Sequence, residues 1–188
     1  AREKYTGGKD YFLFVGSLSP RKNIVRLIKA FSLFKKETGS DIKLVLAGAI
    51  FWGEGEMLSL MKELNLENEI VFMGRVPDEA LREITASALA FTYVPYFEGF
   101  GIPLVEAMQC GVPIISANTS SLPEVAGEAA VYCDPFNEND IKNAMVKVYS
   151  DKDLREELVN KGYIQKNKFS WDRTAELLWE SVEKALGV

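Results

Sequence analysis

Apolar and polar residues alternate along this chain in two distinct rhythms. "YFLFVG" (11–16), "IKLVLAG" (42–48), "EIVFMG" (69–74), "LAFTYVP" (89–95), "VPIISA" (112–117) and "AAVYCD" (129–134) are short, nearly unbroken apolar runs. Such runs predict strands covered on both faces, as in a parallel sheet. Between them the rhythm changes. "KNIVRLIKAFSLFKKE" (22–37) places apolar residues at 24, 27, 28, 31 and 34, the spacing of one helix face. "GEMLSLMKELNL" (55–66), "PDEALREITASA" (77–88) and "PLVEAMQC" (103–110) read as further helices, the second opened by proline and acidic residues, the third stopped by Gly111. Three amphipathic helices follow, over roughly 137–149, 151–167 and 171–186. Residues 1–10, polar and carrying Gly7-Gly8, read as a linker.

Strands that alternate with helices predict an α/β fold: a Rossmann-like, doubly wound parallel sheet of about six strands. Ligands of such sheets bind outside the carboxyl ends of the strands. The segments there are "GSLSPRKN" (16–23), "GAIFWGEG" (48–55), "GRVPDE" (74–79) and "YFEGFGIP" (96–103).

Composition narrows the chemistry. The 188 residues carry a net charge of −5, which argues against nucleic acid as a main partner. No apolar run reaches the length of a membrane span, and no signal-peptide pattern opens the chain. The chain begins at Ala1 rather than methionine, which suggests a piece of a longer protein. Cys110 and Cys133 lack CxxC spacing and read as reduced, packed thiols. Histidine is absent. That removes Ser–His–Asp and Cys–His catalysis and most zinc chemistry from within these residues.

Two loops remain as candidates. "GSLSPRKN" puts Arg21 and Lys22 at a strand-to-helix turn, where free N–H groups and the helix dipole favour anions. Either the pair clamps a diphosphate or it is surface charge; the loop is neither a Walker A nor a GxGxxG motif. "EGFGIPLVE" (98–106) is more specific. Gly99 and Gly101 permit a tight bend and close approach of a ligand, and Pro103 suits a first helical turn. The N–H groups of Leu104 and Val105 then face outward for a phosphate. Glu106 is placed to accept hydrogen bonds from a ribose diol, and Glu98 stands across the bend, facing whatever is attached beyond the phosphates. The bland alternatives are a dipole-stabilised helix-start glutamate and an exposed loop carboxylate. "DKD" (151–153) has the Asp-x-Asp form of a metal-dependent sugar transferase, but Asp151 is better read as a helix N-cap.

These segments carry a resemblance. "FVGSLSPRKN", "LVLAG", "IVFMGRVPDEALREI", "EGFGIPLVEAMQCGVPIISANTSSLPEVAGEAAVYCDP" and "FSW" follow the order of the C-terminal, nucleotide-sugar-binding domain of retaining GT-B-fold glycosyltransferases of family 4, group 1. The resemblance implies roles by position. Glu98, Arg21 and Lys22 would form the catalytic set, the two cations holding the diphosphate with help from the backbone near Leu104. Glu106 would bind the ribose. Glu98, with the backbone of Gly99, Phe100 and Gly101, would hold the transferred sugar. Arg75 and Val76 would line the base pocket, and Gly16 and Ser17 would complete the phosphate end.

The donor implied is a nucleoside-diphosphate sugar, used without a required metal or other cofactor; "GSLSPRKN" favours GDP-mannose only weakly. Two departures stand out: Ser17 replaces a common arginine, and "PYFE" replaces the common P-S-x-x-E. The resemblance also implies an N-terminal acceptor-binding domain absent from these residues, with the donor domain over 11–170 and a helix over 171–188 crossing back to it. The whole protein would then be a cytoplasmic glycosyltransferase, with any attachment to the inner membrane face made through the absent domain, and these residues alone would be inactive. A stand-alone nucleotide-sensing module and a sugar-nucleotide epimerase are the competing readings; the E-x7-E spacing speaks against the second.

Overall fold

A computed structural model describes residues 1–50 and 54–187. The tip of the predicted "GAIFWGEG" loop therefore lies outside the described residues. Six strands, β1 (Tyr11–Val15), β2 (Lys43–Ala47), β3 (Ile70–Gly74), β4 (Ala90–Tyr93), β5 (Ile114–Ala117) and β6 (Ala130–Cys133), form one sheet in the order β3-β2-β1-β4-β5-β6. Every pairing is parallel. The expected doubly wound sheet is thus observed, and the strands' unbroken apolar runs have their cause in coverage on both faces. Phe12, Leu13, Phe14, Leu44, Val45 and Leu46 are all fully buried.

The helices are α1 (Arg2–Thr6), α2 (Ile24–Thr38), α3 (Glu54–Glu63), α4 (Asp78–Ala86), α5 (Ile102–Gln109), α6 (Leu122–Ala126), α7 (Glu138–Ser150), α8 (Lys152–Gln165) and α9 (Trp171–Leu186). The chain winds outward from β1 to β3 and outward again from β4 to β6. Right-handed crossovers in opposite directions put their helices on opposite faces. Accordingly α2 packs along α7 and beside α3, while α5, α6 and α8 pack together. The reversal of direction falls between β1 and β4, where a crevice opens at the carboxyl edge.

Three details differ from the sequence-based expectation. Residues 1–10 are not an irregular linker: α1 ends at Gly7 in left-handed conformation, and Arg2 ties it down through Ser87 O (2.9 Å) and Asp10 (2.7 Å). "LPEVA" forms α6, too short for a periodic signal. "PRK" (20–22) forms a 3-10 turn ahead of α2. Asp151 does cap α8, accepting from the Leu154 N–H at 2.8 Å. Both cysteines are free, and burial pushes the Cys133 thiol up to about 12. No residue of α9 is buried; Trp171, Leu178, Trp179 and Leu186 all stand exposed on it. No helix among the described residues is long and apolar enough to cross a membrane.

Candidate donor-binding site

The carboxyl ends of β1, β2 and β3 are drawn close by their glycines. Gly16 N–H donates to Ala47 O (2.9 Å) and Gly48 N–H to Gly74 O (2.7 Å). A Cβ on Gly48 would stand 1.9 Å from Gly16 O, so no other residue fits there. Beyond Gly16 the chain turns through Ser17 and the 3-10 turn to Asn23, which takes the left-handed conformation at φ 62°. The buried amide of Asn23 donates to Val94 O (2.9 Å) and Pro135 O (2.7 Å). The turn bearing Arg21 and Lys22 is thereby fixed to the ends of β4 and β6. A further bond, from Tyr96 N–H to Arg21 O (3.0 Å), joins it to the bend after β4.

Arg21 and Lys22 meet Glu98, 77 and 76 residues further along the chain, in that corner. Glu98 Oε1 accepts from Arg21 Nη1 (2.7 Å), Lys22 Nζ (2.5 Å) and the Tyr93 hydroxyl (3.1 Å). Lys22 Nζ also donates to the Tyr93 oxygen at 2.5 Å, and Arg21 Nη1 to Phe97 O at 2.6 Å. The side chains of Lys22 and Glu98 are only 9% and 12% exposed, that of Arg21 48%. Burial opposes ionisation of Glu98. The hydrogen bond and charge of Lys22, with help from Tyr93 and Arg21, outweigh it and hold the carboxyl below its ordinary range. Burial, followed by the neighbouring Glu98 charge, pushes the Tyr93 phenol well above its ordinary value, so it stays a neutral donor.

The backbone of the bend is pinned as well. Ser120 Oγ accepts from Glu98 N–H (3.0 Å), and Ser121 Oγ donates to Glu98 O (3.1 Å) and Phe100 O (2.8 Å). The two glycines then prove unequal. Gly101 sits at φ 104°, and a Cβ there would come within 2.8 Å of Leu122 Cδ2. Gly99 needs no unusual backbone angle, and a Cβ on it would meet nothing within 4 Å. The fold requires the first of these glycines and leaves open space at the second. Phe100 is exposed, its ring edge-on to Phe169.

α5 starts at Ile102 with Pro103 in its first turn. One amide expected to face an anion does not: Leu104 N–H donates to Gly101 O at 2.9 Å. Glu106 is exposed on α5 and lines a cleft of about 460 Å³ together with Val15, Asp78, Leu81, Arg82 and Pro103. This cleft lies between α4 and α5. Arg75 and Val76 belong to the loop before α4, and its lining comes instead from α4 itself. A larger cavity, about 560 Å³, lies at the amino edge of the sheet near Arg2, Asp10 and Pro113. Its Arg155 is committed to the Val148 and Tyr149 carbonyls, and the basic turn is far away at the other edge. Among the described residues no cluster of three or more His, Cys, Asp or Glu side chains could hold a metal ion.

Of the residues singled out from the sequence, Arg21, Lys22 and Glu98 are brought together and Glu106 lies on the cleft wall. Tyr93, Asn23, Ser120 and Ser121, which hold this corner, were not singled out. Tyr93 carried one usable signal: a tyrosine in a buried strand needs a partner for its hydroxyl. The serines carried none, since their role comes from α6 folding back onto the bend.

The six-stranded, all-parallel sheet is consistent with the Rossmann-like half of a GT-B fold. Residues 2–165 match the family described as Glycosyl transferases group 1, and the chain belongs to that family. It is 38% identical over 164 residues to O-antigen chain mannosyltransferase B of Escherichia coli, covering 87% of this chain and 43% of that protein. It is 33% identical over 187 residues to the serotype-specific mannosyltransferase WbdA of the same species, covering 98% of this chain and 23% of that one. The chain thus spans less than half the length of these relatives. Among solved structures, Anabaena Alr3699/HepE in complex with UDP and glucose superposes with a TM-score of 0.85 at 21% identity, over 97% of this chain and 50% of that chain. The C-terminal domain of LpcC from Francisella tularensis superposes with a TM-score of 0.74 at 21% identity, over 85% of each.

Proposed function

We propose that this chain is the donor-binding half of a retaining glycosyltransferase that moves a sugar from a nucleoside-diphosphate sugar to an acceptor, without a metal. The observation that carries the reading is the meeting of Arg21 and Lys22 with Glu98 at the carboxyl edge of β1 and β4, beside a cleft that bears Glu106. The diphosphate lies against Arg21 and Lys22, the ribose against Glu106, and the base between α4 and α5. The sugar projects past Gly99, whose missing side chain leaves room for it, toward Glu98. When the bond between the anomeric carbon and the phosphate oxygen breaks, negative charge grows on the leaving diphosphate. The two cations, fixed in advance by Asn23 and Tyr93, stabilise it where a metal ion otherwise would.

Mannose is the favoured sugar, since both Escherichia coli relatives compared above are named mannosyltransferases. GDP-mannose is therefore the first donor to test. The acceptor sits on an N-terminal domain of the longer protein, and the exposed apolar residues of α9 pack against that domain. Positioning of the acceptor is a large share of the rate, so this chain alone transfers no sugar at a useful rate.

A thermal-shift panel of GDP, UDP and ADP with their sugar conjugates, each in the presence of a chelator, tests the proposal. A matching nucleotide at 100 times its dissociation constant stabilises the fold by about 2.7 kcal/mol. Stabilisation that appears only on addition of Mg²⁺ or Mn²⁺ contradicts metal independence. No stabilisation by any nucleotide contradicts the donor site itself.

A further inference from the structure

The cations assigned to the diphosphate are already occupied. One oxygen of Glu98 accepts from both Arg21 and Lys22, at 2.7 and 2.5 Å. A diphosphate entering this corner meets a negative charge on the very groups it must bind. It lies beside that charge or pushes it away.

Neither course is free of cost. Lys22 and Glu98 are almost wholly withdrawn from water, and a nearly dehydrated carboxylate stripped of its partners is strongly destabilised. Nor can the bend carry Glu98 out into solvent. Its backbone N–H is held by Ser120, and its backbone carbonyl by Ser121. Only the side chain can turn, and it needs donors wherever it turns. A bare nucleoside diphosphate brings acceptors and almost no donors to this corner. A sugar attached to the diphosphate brings several hydroxyl donors, and the open space at Gly99 lies next to Glu98 to receive it.

We propose that Glu98 is an exchangeable counter-ion: it neutralises Arg21 and Lys22 in the empty site and yields them to the diphosphate only when sugar hydroxyls take their place. This rests on the donor-binding reading above. It makes Glu98 a specificity-determining residue that favours the sugar conjugate over the bare diphosphate. It also gives the site a way to clear itself. Once the sugar has left, the carboxylate loses its hydroxyl partners, returns to the two cations and opposes the remaining diphosphate.

Calorimetric titration of GDP, UDP and their sugar conjugates into the wild type, Glu98→Gln and Tyr93→Phe tests the exchange. Glu98→Gln keeps the shape and removes the charge. It should bind the bare diphosphate at least about fivefold more tightly, the equivalent of one hydrogen-bonded competitor removed, and lose most of the preference for the conjugate. Tyr93→Phe removes a neutral donor to Glu98 and should shift the same preference in the same direction by less. Because Glu98→Gln leaves Lys22 without its carboxylate, melting is followed in parallel. Saturating GDP or UDP should raise the transition of Glu98→Gln by more than that of the wild type, since the ligand restores the missing charge.

Unchanged or weaker binding of the bare diphosphate by Glu98→Gln, with binding still sensitive to Lys22→Ala, overturns the exchange and leaves the donor site standing. Diphosphate binding indifferent to both Arg21→Ala and Lys22→Ala overturns the donor site instead. Absence of nucleotide binding in every variant and in the wild type overturns both.

Discussion

The two glutamates of the bend differ in almost everything but residue type. Glu98 is nearly buried, held by three donors on its carboxylate and by two serines on its backbone. Glu106, eight residues on, is exposed on the wall of a cleft and enters no ion pair among the described residues. One end of the bend is knitted into the fold and the other is left free. On the donor-binding proposal, a single short segment serves two demands. The anchored end holds Arg21 and Lys22 in place before any ligand arrives, as electrostatic preorganisation requires of groups proposed to meet growing charge. The exposed end enters no ion pair among the described residues, so the hydrogen bonds of Glu106 remain available to the proposed diol.

The largest effect expected from this contrast is at Lys22. Lys22→Ala leaves Glu98 nearly buried with the half-exposed Arg21 as its one cationic partner and Tyr93 as a neutral donor, and breaking such a pair should cost about 3 kcal/mol of stability. It should also abolish tight diphosphate binding. Urea unfolding and a nucleotide titration check the two halves. A stable Lys22→Ala protein would mean that the Glu98 corner is less tightly built than its distances imply.

Glu106→Gln should do the reverse. Binding of both the bare diphosphate and the sugar conjugate should weaken by about 1.5–3 kcal/mol, the range for hydrogen bonds to a charged group. Unfolding should move by no more than about 0.5 kcal/mol, as for other exposed substitutions. A marked loss of stability would erase the contrast.

The glycines sharpen it further. Gly101→Ala forces a Cβ against Leu122 in a left-handed conformation and should cost about 1–2 kcal/mol. Gly99→Ala should stay within about 0.5 kcal/mol of wild type and yet weaken the sugar conjugate, because it fills space meant for the ligand. Equal effects at the two positions would show that the bend is shaped by the fold alone.

A smaller effect concerns acid. The folded-state value of Glu98 is depressed, so the folded chain holds its proton less readily than the unfolded chain. The stability this contributes is present above the ordinary carboxylate value of 4.5 and is lost as pH falls through the lower folded value. Unfolding of the wild type should therefore become easier below about pH 4.5, with a steeper slope than in Glu98→Gln. Asp41 and Glu69 are depressed as well, so part of the slope should survive in the variant.

How far the sequence could be read follows from the same division. The strands announce themselves because burial leaves them few polar positions. The six-stranded parallel sheet, and with it the carboxyl edge, is therefore visible in the apolar runs. Arg21, Lys22, Glu98 and Glu106 are visible as charged residues in two segments at the carboxyl edge, the glutamates flanking a glycine–proline bend. The contact of Glu98 with the two cations is not visible, since it depends on Asn23 bridging β4 and β6. Nor is the inequality of Gly99 and Gly101, which is decided by Leu122 from a helix too short to show a period. The bonded Leu104 amide was hidden for a similar reason: the first turn of α5 is tighter than an α-helical turn. Arg75 and Val76 lie in the loop ahead of α4, whereas the cleft is walled by α4 itself one turn further on.

The most direct measurement is a crystal structure of the chain with bound GDP-mannose. The account predicts the diphosphate within hydrogen-bond distance of Arg21 and Lys22, the ribose diol on Glu106, and Glu98 turned from both cations to the sugar hydroxyls. A ligand seated elsewhere, such as the cavity at the amino edge of the sheet, or a nucleotide bound while Glu98 still holds both cations, would contradict it.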